Sequence, residues 1–159
     1  MIASADAPRL RERHVLDCLR AGAMVEPTDR DAYDLGSGAG LPGLVLAVGL
    51  PFLHLTLVET RRRRVGFLEL AIERLRLTNA TVAACRIEDL HDPVDLCFAR
   101  ALAPPAEAWR LAEPLLRPGG RLIYFAGQGG TVADVPGTRS RSLGTAVLER
   151  SGPLVIMAR

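Results

Sequence analysis

Between Asp34 and Gly43 the chain reads Asp-Leu-Gly-Ser-Gly-Ala-Gly-Leu-Pro-Gly, with glycines at 36, 38, 40 and 43. The acidic residue ends a short apolar run, and an apolar segment of helical character begins directly after the glycines. That order predicts a strand, a tight turn and a helix, the layout of a nucleotide-binding turn in an α/β fold. Glycine lets the backbone take positive φ and leaves no Cβ in the way of a ligand. A helix N-terminus behind such a loop offers unpaired N–H groups and a partial positive charge.

Two nucleotide loops fail on residues that can be checked. A phosphate-cradling P-loop ends in GK[ST], and this chain has no lysine, all 20 basic residues being arginine. The dinucleotide fingerprint G-x-G-x-x-G/A requires Gly or Ala at position 41, which is Leu41, followed by Pro42. A small-residue loop outside the pyrophosphate pattern suggests S-adenosylmethionine, which carries no phosphate. Asp34, Gly36, Gly38 and Gly40 are therefore the first candidate cofactor residues. Glu59 is the next. It ends the strand-like run 54–58 and lies 23 residues after Gly36, close to the spacing of about 20 for an acid that accepts from ribose hydroxyls.

At 159 residues, 48% hydrophobic and 24% charged, the chain is expected to form one globular domain with a real core. No secretory signal and no bilayer-spanning run is read, and no metal site or membrane partner is expected. Cys18, Cys85 and Cys97 are widely spaced and read as buried free thiols of a reducing, cytoplasmic compartment. The net charge of +2 announces no nucleic acid by itself. The block Arg61-Arg-Arg-Arg64 does more, because it places cations where a helix macrodipole disfavours them and so invites an RNA phosphate contact, or else a solvated face.

Strand and helix signals alternate, which predicts a mainly parallel sheet. A helix is expected over 8–22, with Leu10, Val15, Leu16 and Leu19 on its apolar side and Gly22 as its stop. The cofactor-binding core follows over 31–126. It holds strands at 32–35, 54–58, 80–84, 94–99 and 121–126. Its helices run from Pro42 to about 48, over 61–76 with Val65, Leu68, Ile72 and Leu75 as an apolar stripe ended by Asn79, and over 105–116 stopped by Pro118-Gly-Gly120. The stretch 127–137 reads as flexible. The tail, 139–159, reads as an antiparallel hairpin turning at Ser151-Gly-Pro153, for seven strands in all. Trp109 reads as a packed helix residue.

Several separated blocks resemble the bacterial small-subunit ribosomal RNA methyltransferase G family (GidB or RsmG). They are Glu12-Arg-His-Val-Leu-Asp17, the loop 34–43, Arg63-Arg-Val-Gly-Phe-Leu68, Arg86-Ile-Glu-Asp89 and Ala99-Arg-Ala-Leu-Ala103. The resemblance runs from about Glu12 to Gln128. It implies a Rossmann-like class I S-adenosylmethionine-dependent methyltransferase fold, S-adenosylmethionine as cofactor, and N7 of a guanine in small-subunit ribosomal RNA or the 30S subunit as acceptor. It also implies cofactor contacts at Gly36, Leu41, Ile87, Glu88 and Arg100, and Arg100 is the candidate catalytic residue. His14 and Asp17 belong to the family's helical entrance and are left facing either the RNA or the site. The family carries Lys-Gly after strand five where this chain has Ala126-Gly127.

Guanine N7 has a lone pair and no proton to lose, so methyl transfer to it needs no general base. The exocyclic-amine signature [DN]PP[YF] is absent after strand four, and the cysteine nucleophile of cytosine C5 enzymes has no counterpart, since Cys97 falls inside a strand. A small-molecule methyltransferase and a non-catalytic cofactor-binding relative remain open alternatives. The first calls for a closed apolar pocket and the second for a blocked one. An RNA enzyme calls for a basic face joining Arg9, Arg11, Arg13 and Arg61–Arg64.

Overall fold

In the computed structural model, which describes residues 14–127, 135, 138–143 and 152–159, the described residues form eleven α-helices and β-strands. They are α1 (Leu16–Gly22), β1 (Asp31–Leu35), α2 (Gly43–Gly49), β2 (His54–Val58), α3 (Arg62–Leu75), β3 (Ala80–Ala83), β4 (Val94–Arg100), α4 (Pro105–Ala112), β5 (Leu116–Phe125), β6 (Arg139–Leu143) and β7 (Leu154–Ala158). The strands form one sheet in the order β3-β2-β1-β4-β5-β7-β6. The first five are parallel, and β7 runs antiparallel to both β5 and β6. This is the expected mainly parallel seven-stranded sheet with an antiparallel tail.

The central strands are buried on both faces, as parallel strands covered by helices must be. Side chains alternate across each strand. Leu55, Leu57, Phe98 and Ile123 pack with Ala21, Leu44, Leu46, Ala47 and Leu68 of the first three helices. Tyr33, Val58, Cys97, Leu122 and Tyr124 pack on the other face with Ala108, Trp109 and Ala112 of α4. At the end of the sheet where β1 begins, Arg117 bridges Asp31 and Asp95, each at 2.9 Å, and Arg121 reaches Asp29 at 2.7 Å. Asp95 also accepts from the Arg30 and Asp31 amides. These ties leave the opposite end of the sheet for other work.

Several local expectations are corrected. In α1 the residues expected to be apolar anchors, Leu16 and Leu19, are exposed, and the buried ones are Asp17, Cys18 and Ala21. The small Cys18 and Ala21 allow close packing on α2, and Asp17 is drawn inward by two arginines described below. The expected part of that helix over 8–13, with Leu10, lies outside the described residues. In α3, Leu68 is buried but Leu75 is 52% exposed. The helix stops at Arg76 in the left-handed conformation, not at Asn79. Asn79 is instead buried, its amide donating to the Ala47, Leu50 and Leu53 carbonyls at 3.0–3.1 Å, so it fastens the end of α2 and the following turn.

The helix expected over 105–116 ends as α4 at Ala112, and a 3-10 turn covers Glu113–Leu115. Pro118–Gly120, predicted to separate helix from strand, is a bulge inside β5: Val94 pairs with Leu116, but Leu96 pairs with Arg121. Arg117, held by Asp31 and Asp95, anchors the strand ahead of the bulge. Cys85 is half-buried, unlike the buried Cys18 and Cys97. The turn expected at Ser151 and most of the stretch 127–137 lie outside the described residues.

Candidate functional site

Strand order reverses beside β1, with β2 on one side and β4 on the other. In doubly wound sheets a ligand crevice opens at the carboxyl ends of the strands at such a reversal. Leu35 is in register with Val58 and with Ala99. The residues that follow them, Gly36, Glu59 and Arg100, therefore stand along one edge. Residues far apart in sequence and singled out separately are brought together.

The glycine turn is built from its own backbone. Ser37 N–H donates to the Val58 carbonyl at 2.9 Å, its hydroxyl donates to the Asp34 carbonyl at 2.8 Å, and Gly40 N–H donates to the Ser37 carbonyl at 2.7 Å. Gly36, Gly38 and Gly40 all have positive φ. At Gly40 a Cβ would lie 2.3 Å from Leu44 Cδ1, so the turn is closed on its inner side. At Gly38 a Cβ would meet nothing nearer than the Gly36 carbonyl at 3.7 Å and Arg64 Nη1 at 3.8 Å, so the turn is open on its outer side. Leu41 is half-buried at the far end of the turn.

Asp34 is buried, and its Oδ2 accepts from Gly43 N–H at 3.0 Å. Burial pushes its pKa up to about 6, against the opposing pull of the Ser37 and Gly43 hydrogen bonds and the Arg100 charge. Its carboxylate thus ties the first residue of α2 back onto β1 and holds the turn shut. Gly43 leaves room for that oxygen, since a Cβ there would come within 2.6 Å of it.

Glu59 is also buried. Its Oε1 accepts from the Thr60 and Arg61 amides at 2.9 and 3.0 Å, and its Oε2 from Arg64 Nη1 at 3.2 Å. Burial acts to raise its pKa, but the Arg61 amide and the Arg64 guanidinium prevail and hold it below the ordinary value. This carboxylate supplies the charge compensation that four arginines at a helix N-terminus need. Arg61, Arg62 and Arg63 are exposed there, and Arg64 leans back toward the glycine turn. Arg9, Arg11 and Arg13 lie outside the described residues.

Arg100 ends β4 with its guanidinium about 6.0 Å from the centre of the Phe125 ring. Its Nη2 lies 2.8 Å from His14 Nδ1 and 3.6 Å from Asp17 Oδ2. Asp17 Oδ1 in turn accepts from Arg20, which also donates to the Gly152 carbonyl at 3.0 Å. The residue after Arg100, Ala101, has φ of 52°, left-handed backbone that costs a non-glycine residue about 1–2 kcal/mol. Ile87 sits half-buried in a 3-10 turn (Ile87–Asp89) after β3, against the second core cluster, with Glu88 exposed beside it.

The sequence alone leaves His14 and Asp17 undecided, although their three-residue spacing puts them on one helix face. Nothing in the sequence marks Ala101, because alanine has no left-handed preference. Cys97 is fully buried in β4 and burial raises its thiol pKa strongly, which suits a structural thiol and not a nucleophile. Among the described residues no group of three or more His, Cys, Asp or Glu could hold a metal, and no helix is long and apolar enough to cross a membrane.

Residues 1–132 match the family model described as rRNA small subunit methyltransferase G. The chain is 43% identical over 130 residues to the ribosomal RNA small subunit methyltransferase G of Thermobifida fusca, covering 80% of this chain and 54% of that protein. It is 47% identical over 118 residues to the protein of that name from Acidiphilium cryptum, covering 74% and 54%. The chain thus spans about half the length of the curated relatives it matches. Among solved structures, a mutant of MtNAS in complex with S-adenosylmethionine superposes with a TM-score of 0.64 at 20% identity, over 96% of this chain and 62% of that one. That likeness shows the Rossmann-like fold.

Proposed function

The chain belongs to the rRNA small subunit methyltransferase G family, and from that footing we propose that it transfers a methyl group from S-adenosylmethionine to N7 of a guanine in small-subunit ribosomal RNA. The observation that carries the reading is that the open glycine turn, Glu59 and Arg100 stand side by side along the carboxyl edge of the sheet. An enzyme acting on ribosomal RNA would work in the cytoplasm.

The residues present fit the cofactor. Gly38 leaves space that a side chain would fill. Glu59 accepts three hydrogen bonds, and a carboxylate has about four acceptor positions, so its Oε2 side keeps capacity for a ribose hydroxyl. Gly36, Gly38, Gly40 and Leu41 would line the adenosyl portion, with Asp34 holding the turn in shape. Ile87 would lie against the adenine, with Glu88 at its edge. When bound, the cofactor supplies an already activated methyl.

The remaining task of the chain is alignment. Because N7 needs no deprotonation, no residue has to act as base, and holding acceptor and donor in line can supply most of the acceleration. Arg100, a donor-only guanidinium fixed by His14 and Asp17, is suited to an electronegative atom of the guanine or an adjoining phosphate. The exposed Arg61–Arg63 at the same edge would meet the RNA backbone, which makes the association salt-dependent.

Mass-spectrometric mapping of ribosomal RNA from cells with and without the gene tests this. Loss of a single N7-methylguanosine is the expected result. An unchanged map with cofactor binding intact contradicts the reaction and favours a small-molecule or non-catalytic role.

A further inference from the structure

We infer that His14 is a positioning residue for Arg100, and that it serves as an uncharged acceptor, so that the site is competent only while this imidazole is neutral. The catalytic consequence rests on the role proposed for Arg100; the protonation state does not. An arginine guanidinium donates hydrogen bonds and never accepts them, and it stays protonated at any pH a protein survives. With Arg100 Nη2 at 2.8 Å from His14 Nδ1, the ring nitrogen must present its lone pair. The proton of the neutral ring is then on Nε2.

Three elements meet around the contact. His14 lies in the helical turn that leads into α1, Arg100 ends β4, and Phe125 ends β5 beneath the guanidinium. Among the described residues, the charged and titratable groups facing the pair are Asp17, Cys18 and Arg20 from α1 and, behind Arg100, Asp34 of β1. Asp17 is shared: one oxygen takes Arg20, and the other stands 3.6 Å from Arg100. His14 therefore makes the closest of the described contacts on that guanidinium nitrogen. Protonating Nδ1 deletes the acceptor and sets a second cation against Arg100. The guanidinium is then left to the longer Asp17 contact, and its aim along the sheet edge is lost. A short helix thus couples proton concentration to the geometry of the crevice.

The test has two readouts. In protein labelled with nitrogen-15 at histidine, the two-bond imidazole spectrum at neutral pH is expected to show His14 with Nε2 protonated and Nδ1 bare. A proton on Nδ1 overturns the inference whether or not the chain is an enzyme. The second readout is methyl transfer from radiolabelled S-adenosylmethionine to 30S subunits that lack the modification, measured against pH for the wild type, His14→Ala and His14→Asn. Asparagine places its carbonyl oxygen two bonds from Cβ, as histidine places Nδ1, and it cannot titrate. His14→Ala is expected to lower kcat/KM roughly ten- to hundred-fold, the scale for a lost hydrogen bond to a charged group. His14→Asn is expected to recover most of that loss, and to lack the one-proton acid limb of the wild type. Asparagine as weak as alanine, or with the same acid limb, overturns the inference. A wild type inactive on these subunits counts against the proposed reaction, and the nitrogen spectrum then decides this inference alone.

Discussion

At Asp34 and Gly43 one buried carboxylate and one missing side chain close the turn. Because burial raises the Asp34 pKa from 3.8 to about 6, its contribution to stability is full below its ordinary value and is lost as pH rises through about 6. The difference is on the order of 3 kcal/mol. Denaturant unfolding of Asp34→Asn across this range should therefore show the variant gaining on the wild type as pH rises. An unchanged difference between the two would refute a buried ionised Asp34. Gly43→Ala forces a Cβ to within 2.6 Å of that oxygen and should lower stability by about 1–3 kcal/mol in the same assay. The glycine turn and Glu59 were legible in the sequence because backbone freedom and strand-end acids leave spacing signatures. The cluster of His14, Asp17 and Arg20 around Arg100 was not, since it joins α1 to a residue more than eighty positions away, and no local pattern encodes such a meeting.

Among the elements, α1 shows why apolar periodicity can point to the wrong side. Its two leucines are exposed while small residues and Asp17 are buried, because close approach to α2 favours Cys18 and Ala21, and the Arg100 and Arg20 charges draw in the acid. The stripe of α3 fails only at its end, where Leu75 is exposed. Arg76 there has φ of 54°, so Arg76→Gly should raise stability by about 1 kcal/mol, read as an upward shift of the unfolding midpoint. Asn79→Ala removes the side-chain amide that donates to the carbonyls of Ala47, Leu50 and Leu53, of which Leu50 keeps the Leu53 N–H. The expected loss is about 1–3 kcal/mol, and a loss below a few tenths would show that water replaces the amide. The early start of β5 could not be read from Pro118-Gly-Gly120, which has the composition of a terminator but forms a bulge that Arg117 anchors from outside.

Across the whole molecule, strand count, strand direction and the antiparallel tail follow from alternating strand and helix signals, and the observed order β3-β2-β1-β4-β5-β7-β6 places the reversal at the glycine turn. Ion pairs of Arg117 and Arg121 secure the end of the sheet where β1 begins, and the cofactor site is proposed at the other end, where Gly36, Glu59 and Arg100 follow their strands. The division of labour between the two ends makes the site separable from the scaffold. Gly38 offers the sharpest handle, because a Cβ there meets nothing nearer than 3.7 Å yet would occupy the side of the turn where the cofactor is proposed to lie, the φ of 58° costing an alanine about 1–2 kcal/mol of stability. Calorimetric titration of S-adenosylmethionine into the wild type and a folded Gly38→Ala variant is the most direct measurement. Saturable binding by the wild type, weakened at least about tenfold in the variant, is the predicted result; no heat from the wild type well above micromolar protein, or equal affinity in both, would contradict it.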